Sequence, residues 1–197
     1  SGDMARVKAE LRKMPPLERV QAAQVVGLLA WDAVAAEARK VLTADRDRLV
    51  GTLVDHLTDP DEDFAVRRRL PRILAYCDNP RAVMGLLLGL QDARFEVRFH
   101  CGRSLDAVKQ RNPETEIPEE AVYAILEREL SASRSIWQSY RLLDRREAGE
   151  QYEFLDEHLR ERANQSMEHV FSLLALVMAR DPLKIAFQAL HTDDRML

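Results

Sequence analysis

The stretch that decides the fold is Leu57-Thr58-Asp59-Pro60-Asp61-Glu62-Asp63-Phe64-Ala65-Val66-Arg67, read beside Leu90-Gln91-Asp92-Ala93-Arg94-Phe95-Glu96-Val97-Arg98. Both copies run from the end of an apolar segment through an Asp-bearing turn into a segment that opens with Val-Arg. The second segments continue to about Tyr76 and Arg111. A partial third copy, Ala189-Leu190-His191-Thr192-Asp193-Asp194-Arg195, stands near the end of the chain. Helix pairs repeated at such a period cannot bury their apolar faces alone and must stack. The pattern predicts an all-α chain, an α-solenoid of stacked antiparallel helix pairs, and a binding scaffold rather than a catalyst.

Outward from that stretch, almost every segment reads as helix, with Pro and Asp at most boundaries. Leu49, Leu53, Val54 and Leu57 recur at spacings of three and four, which marks one apolar face. The acidic turn supplies N-cap oxygens and negative charge at the positive end of the next helix. That helix is expected to bury Val66, Leu70, Ile73, Leu74 and Cys77. Asp78-Asn79-Pro80 opens the next pair, whose helices carry Val83, Met84, Leu86, Leu87, Leu88 and Leu90, then Val97, Cys101, Leu105 and Val108. Gly85 and Gly89 share a face and predict a close neighbouring helix. The clear repeats span about 45–77 and 79–111.

Upstream, a helix is expected from Met4 to Lys13, stopped by Pro15-Pro16. One carrying Leu17, Val20, Val25, Leu28 and Leu29 follows, then an Ala-rich one with Trp31, Val34, Ala38 and Leu42. Downstream, the loop Asn112 to Pro118 ends the simple repeat. Irregular helices follow across 119–180: two near 119–130 and 132–146, then a long one over 150–179. The last keeps apolar spacing from Tyr152 and Leu155 through Leu159, Ala163, Met167, Val170 and Leu174 to Val177. Average helices have about 11–12 residues, so this seam reads as bridging intramolecular neighbours, with a homodimer through 152–177 as the other use. A truncated repeat over 182–197 suggests a piece of a longer protein. Residues 1–3 read as an expression scar, and 4–197 as a single helical domain.

Composition narrows the function. The chain has 197 residues, 46% apolar and 31% charged, with a net charge of −4. That charge gives no global attraction to nucleic acid or anionic lipid. Cys77 and Cys101 are too few for a disulfide framework and read as buried thiols in a reducing, cytoplasmic setting. The longest apolar runs, 83–90 and 171–179, fall short of the roughly 20 residues that span a bilayer, so no membrane insertion is expected.

Residues Asp45 to Asn112 resemble the HEAT-repeat family, an armadillo-like class, in its bacterial variants. The apolar first helix, the turn Asp59 and Asp92, and Val66-Arg67 and Val97-Arg98 carry the resemblance. The first copy departs by two extra turn residues, and residues 119–180 depart further. The resemblance implies a structural Asp–Arg ladder of Asp59, Arg67, Asp92 and Arg98. It also implies a concave surface lined by the second helices. Turning the apolar residues of those helices inward leaves Arg68, Arg72 and Tyr76 of one, and Phe99, Arg103 and Asp106 of the other, facing a partner. An offset of 31 residues aligns Arg72 with Arg103 and Arg68 with Phe99. Arg and aromatic residues are the types enriched in binding hot spots.

Other constellations carry less. Arg134, Trp137, Arg141 and Arg145 form a basic stripe that could touch phosphates, opposed by nearby Asp144 and Glu147. His158 and Glu161 have metal-ligand spacing, with Glu168 and His169 further along, but no matching second motif exists. They read as a charged helix surface, and no metal or cofactor is expected. No Gly-rich phosphate loop, nucleophile elbow or Cys-x-x-Cys occurs. The function expected is a non-catalytic scaffold binding a protein or peptide on its concave surface. Two alternatives stand beside it. One is a regulatory cytoplasmic module of a larger transport or signalling protein. The other is a HEAT-like nucleic-acid binder or enzyme.

Overall fold

The computed structural model describes residues 2–14, 16–144 and 153–193. Within these, the side chains of 2, 19, 133, 135–144, 153–156, 159 and 190–193 are left aside. The described chain is helical, with no strand among the described residues. It divides into two compact units, 1–113 and 114–197, where the sequence suggests one domain over 4–197. The division falls in the Pro-bounded loop that ends the repeat pattern.

The first unit holds α1 (Gly2–Leu11), α2 (Arg19–Gly27), a 3-10 turn at Leu28–Ala30, α3 (Asp32–Ala44), α4 (Arg46–Thr58), α5 (Phe64–Arg67), α6 (Pro71–Leu74), α7 (Pro80–Gly89) and α8 (Phe95–Arg111). Short-range chemistry sets the boundaries. The Asp63 carboxylate accepts from the Ala65 N–H at 2.6 Å and starts α5. Asn79 accepts from the Arg81 N–H at 2.9 Å and starts α7, with Pro80 in the first turn. The two repeat aspartates do the same local work. Asp59 accepts from the Asp61 N–H at 2.9 Å, and Asp92 from the Arg94 N–H at 2.7 Å. The four apolar positions that define the repeat, Leu57, Val66, Leu90 and Val97, are all buried.

Three expectations change here. The second helix of the first copy is two short helices, α5 and α6, rather than one. Pro71 lacks the N–H that would continue the ladder, so the helix is interrupted there even though Leu70 before it keeps a helical backbone. On α7, Met84 and Leu88 are exposed, because Val83, Leu86 and Leu87 already occupy the core stripe. Val20 is likewise exposed on α2. The glycines of α7 lie where close packing was expected. A Cβ on Gly85 would stand 2.5 Å from a Val54 methyl of α4, and one on Gly89 2.5 Å from the Cys101 sulfur of α8.

The second unit contains α9 (Glu119–Asp144), α10 (Glu153–Leu174) and α11 (Arg180–Asp193). A single helix replaces the two expected over 119–146. No Pro or Gly separates them, and the Ser131 hydroxyl donates back to the Glu127 carbonyl at 2.8 Å without interrupting the helix. The expected long helix closes at Leu174, and Tyr152 lies outside the described residues. Along this helix Ala163, Val170 and Leu173 are buried and Met167 is half-buried, where α10 packs on α9. The last Asp-bearing turn is not seen at Asp193, which is still helical; 194–197 lie outside the described residues.

Candidate functional site

Within the first unit, α6 packs against both α3 and α8. The three helices, with the start of α4, enclose a groove of about 790 Å³. From α3 come Arg39, Lys40 and Thr43; Arg46 enters from α4; Arg72 stands on α6, with Tyr76 just beyond it. From α8 come His100, Arg103, Ser104, Ala107 and Arg111. The lining therefore carries six Lys or Arg side chains and no carboxylate. Small residues, Ala75 and Ser104, are buried within it. Space is left between the cationic walls.

The cations differ in what holds them. Arg46 donates to the Tyr76 carbonyl at 2.6 Å and lies 3.7 Å from Asp47. Arg111 lies 3.6 Å from Asp78 and 5.9 Å over the Tyr76 ring. Arg103 lies 5.7 Å over the Phe99 ring. The side chains of Arg39, Lys40 and Arg72 make no hydrogen bond or ion pair among the described residues. Burial first, then the charges of Arg39 and Arg103, hold Arg72 below the ordinary guanidinium range. Burial and Arg72 push the His100 imidazole down to about 4; Glu96 opposes them, while Arg103 and Arg68 add to the lowering. His100 is thus neutral at physiological pH.

Of the residues expected to face a partner, the groove gathers Arg72, Tyr76 and Arg103. Arg68 is outside its lining. It pairs with Glu96 at 3.2 Å and lies 5.5 Å over the Phe64 ring. Asp106 is also outside and accepts from Gln110 at 2.9 Å. Phe99 is a correction. It is 8% exposed and stacked on Phe95 at 5.8 Å, not on an open face. Helix α8 packs on α6 and α7 together, so more than one apolar stripe is covered. Arg39, Lys40, Arg46, His100 and Arg111 join the site without having been singled out. The signal for Arg39 was present, since it precedes Arg72 by 33 residues, the spacing from Leu57 to Leu90.

The Asp and Arg residues assigned to a ladder lie elsewhere. Arg67 forms an ion pair with Asp92, their side chains 13% and 3% exposed, and also donates to the Leu57 carbonyl at 3.3 Å. Removing one partner of such a buried pair leaves an uncompensated charge, a loss of about 3–5 kcal/mol. Arg98 donates to the carbonyls of Asp92 and Ala93, both at 3.0 Å, and Asp59 serves its own turn.

Cys77 and Cys101 are buried and free, and burial raises both thiols, Cys77 to about 11. In the second unit, Arg134 and His158 are exposed, while the side chains of Trp137, Arg141 and Arg145 lie outside the described set. Glu161 accepts from Gln165 at 3.3 Å, and Glu168 is half-buried. His169, assigned to a charged surface, is instead buried, 4.0 Å from the equally buried Glu129 of α9. Among the described residues, no group of three or more His, Cys, Asp or Glu could hold a metal ion. None of the described helices is long and apolar enough to cross a membrane. Comparison with protein-family models, curated proteins and solved structures finds no match to this chain.

Proposed function

We propose that the chain is a HEAT-like, non-catalytic binding module that takes an acidic segment of a protein partner into the groove between α3, α6 and α8. One observation carries this reading: six cationic side chains line one groove that contains no carboxylate. Three of them, Arg39, Lys40 and Arg72, make no side-chain hydrogen bond or ion pair among the described residues. Arg67 and Arg46, by contrast, are held within the fold by a carboxylate and a carbonyl. Leaving charges crowded and unpaired costs stability, and binding an anion recovers it. The uncharged His100 and the small floor residues supply surface without competing charge. Nothing in the lining offers a nucleophile paired with a general base, and the acidic net charge argues against non-specific attraction to nucleic acid.

The test is Arg72→Glu combined with Arg103→Glu in the full chain. Immobilised wild-type protein should retain its partners from a lysate of its source cells in low salt, and the double variant should lose them. Both side chains are exposed, so the melting temperature should move by no more than about 2 °C. Equal retention by the two proteins would reject the groove as the binding surface.

A further inference from the structure

The groove is not uniformly charged along its length. At one end, Arg46 and Arg111 are partly neutralised by Asp47 and Asp78. At the other, Arg39 and Arg72 make no side-chain ion pair among the described residues, and Arg72 feels both Arg39 and Arg103. Asp32, on the flank of Arg39 and Arg72, is already bound by Arg69. A partner carboxylate brings one charge and two oxygens, which one guanidinium fork satisfies, and the rest of this cluster would stay unneutralised. A phosphomonoester brings about −1.5 to −2 charges and three acceptor oxygens. Several converging guanidinium groups can each donate to it, some of them in two-bond forks. Resting on the protein-binding reading above, we infer that this end of the groove is a receptor for a phosphorylated serine or threonine of the partner, anchored by Arg72 between Arg39 and Arg103.

A nucleic-acid strand fits the same groove less well. Its charges run on at one per phosphate, whereas the uncompensated stretch ends at the Asp47 and Asp78 pairs. Single strands also need aromatic platforms for successive bases. The lining has one aromatic, Tyr76, and Arg111 already covers a face of its ring. A compact dianion asks only for the short cluster that is present. His100 sits beside that cluster and reports on it, because Arg72 and Arg103 contribute to holding its imidazole near 4. Neutralising those two arginines with a bound dianion must raise it.

The experiment uses the full chain and a fluorescent peptide library with degenerate flanks around a central phosphoserine. Matched libraries carry Glu or Ser at that position, and a single-stranded oligonucleotide of similar length is the fourth probe. The phosphoserine library should bind at least about tenfold tighter than the Glu library, since the phosphoryl group brings a further acceptor oxygen and up to a second negative charge to the arginine cluster. Arg72→Glu should abolish the difference. Arg72→Lys, which keeps the charge and the fold but not the fork, should reduce it several-fold. The pH titration of His100, followed by NMR, should move upward with phosphoserine peptide and stay put in Arg72→Glu.

Equal binding of the Glu and phosphoserine libraries overturns the phosphate inference and leaves the acidic-partner reading standing. Tighter binding of the oligonucleotide overturns it as well. If no library binds while lysate retention still depends on Arg72 and Arg103, the phosphate inference again falls alone. Both readings fall together only if the double charge reversal leaves retention unchanged.

Discussion

His100 shows how a single side chain records the charge around it. Its imidazole faces Arg72, Arg103 and Arg68, with Glu96 as the opposing charge, and stays neutral down to about pH 4. In the unfolded chain the same group takes up a proton near pH 6.5. Between those values the unfolded state binds more protons, so stability falls as pH falls. The loss is complete below about pH 4, where both states are charged. Discounted for the imidazole's partial exposure to solvent, it is on the order of 2–3 kcal/mol. Thermal melts of wild type and His100→Gln between pH 7 and pH 4 should therefore diverge. The wild type should lose more stability across that interval, and equal losses would show that the imidazole is not held neutral. The two thiols illustrate the opposite situation. At Cys77 and Cys101 burial outweighs the nearby cations, Arg46 and Arg111 for the first and Arg67 for the second, and both thiols are held above the ordinary range.

At the scale of elements, the packing of α7 rests on missing side chains. Gly85 places backbone against Val54 of α4, and Gly89 does the same against Cys101 of α8. Ala is ordinarily better than Gly inside a helix by about 1 kcal/mol. Gly85→Ala should nevertheless destabilise by about 1–3 kcal/mol, because the new methyl would overlap a branched core side chain with little room to move. Gly51→Ala is the contrast. Its Cβ would first meet the Arg81 guanidinium at 3.2 Å, on a mostly exposed side chain that can swing aside. It should stabilise by about 0.5–1 kcal/mol. Urea unfolding of both variants checks the opposite signs, and a shared sign would refute the packing argument.

These elements also show what the sequence made legible. The turn aspartates and the three-or-four spacing act within a few residues, so Asp63, Asn79, Leu57 and Leu90 could be read directly. The α5–α6 break was written in Pro71 and overlooked beneath a continuous apolar period. The continuity of α9 was written in the lack of any breaker at Ser131-Ala132. The groove was half legible. Arg72 and Arg103 are related by the 31-residue offset and Arg39 and Arg72 by the 33-residue one, whereas Arg46, His100 and Arg111 reach the site only through tertiary packing of α4 and α8 around α6. Phe99 was misplaced because a one-stripe reading of α8 leaves out its second neighbour.

At the scale of the whole molecule, the groove belongs to one unit. Every residue that lines it lies between Arg39 and Arg111, and the division between units falls at Pro113 and Glu114. The core beneath it is equally local: Leu42, Leu53, Leu57, Leu70, Ile73, Leu74, Leu86, Leu90 and Leu105 are fully buried inside the same unit. Each buried Leu contributes about 1.5–3 kcal/mol of transfer free energy, a core of the size that a domain of this length needs. A fragment ending at Pro113 should therefore fold alone. Its circular dichroism should be helical, its melt cooperative, and its retention of acidic partners equal to that of the full chain. The second unit, with its buried Glu129 and His169 between α9 and α10, would then contribute separately from groove binding. A fragment that folds cooperatively but no longer binds would show that residues beyond the loop complete the site. A fragment that fails to fold would show that the first unit depends on the second for stability, and a trypsin-resistant 112–118 loop in the intact chain would point the same way.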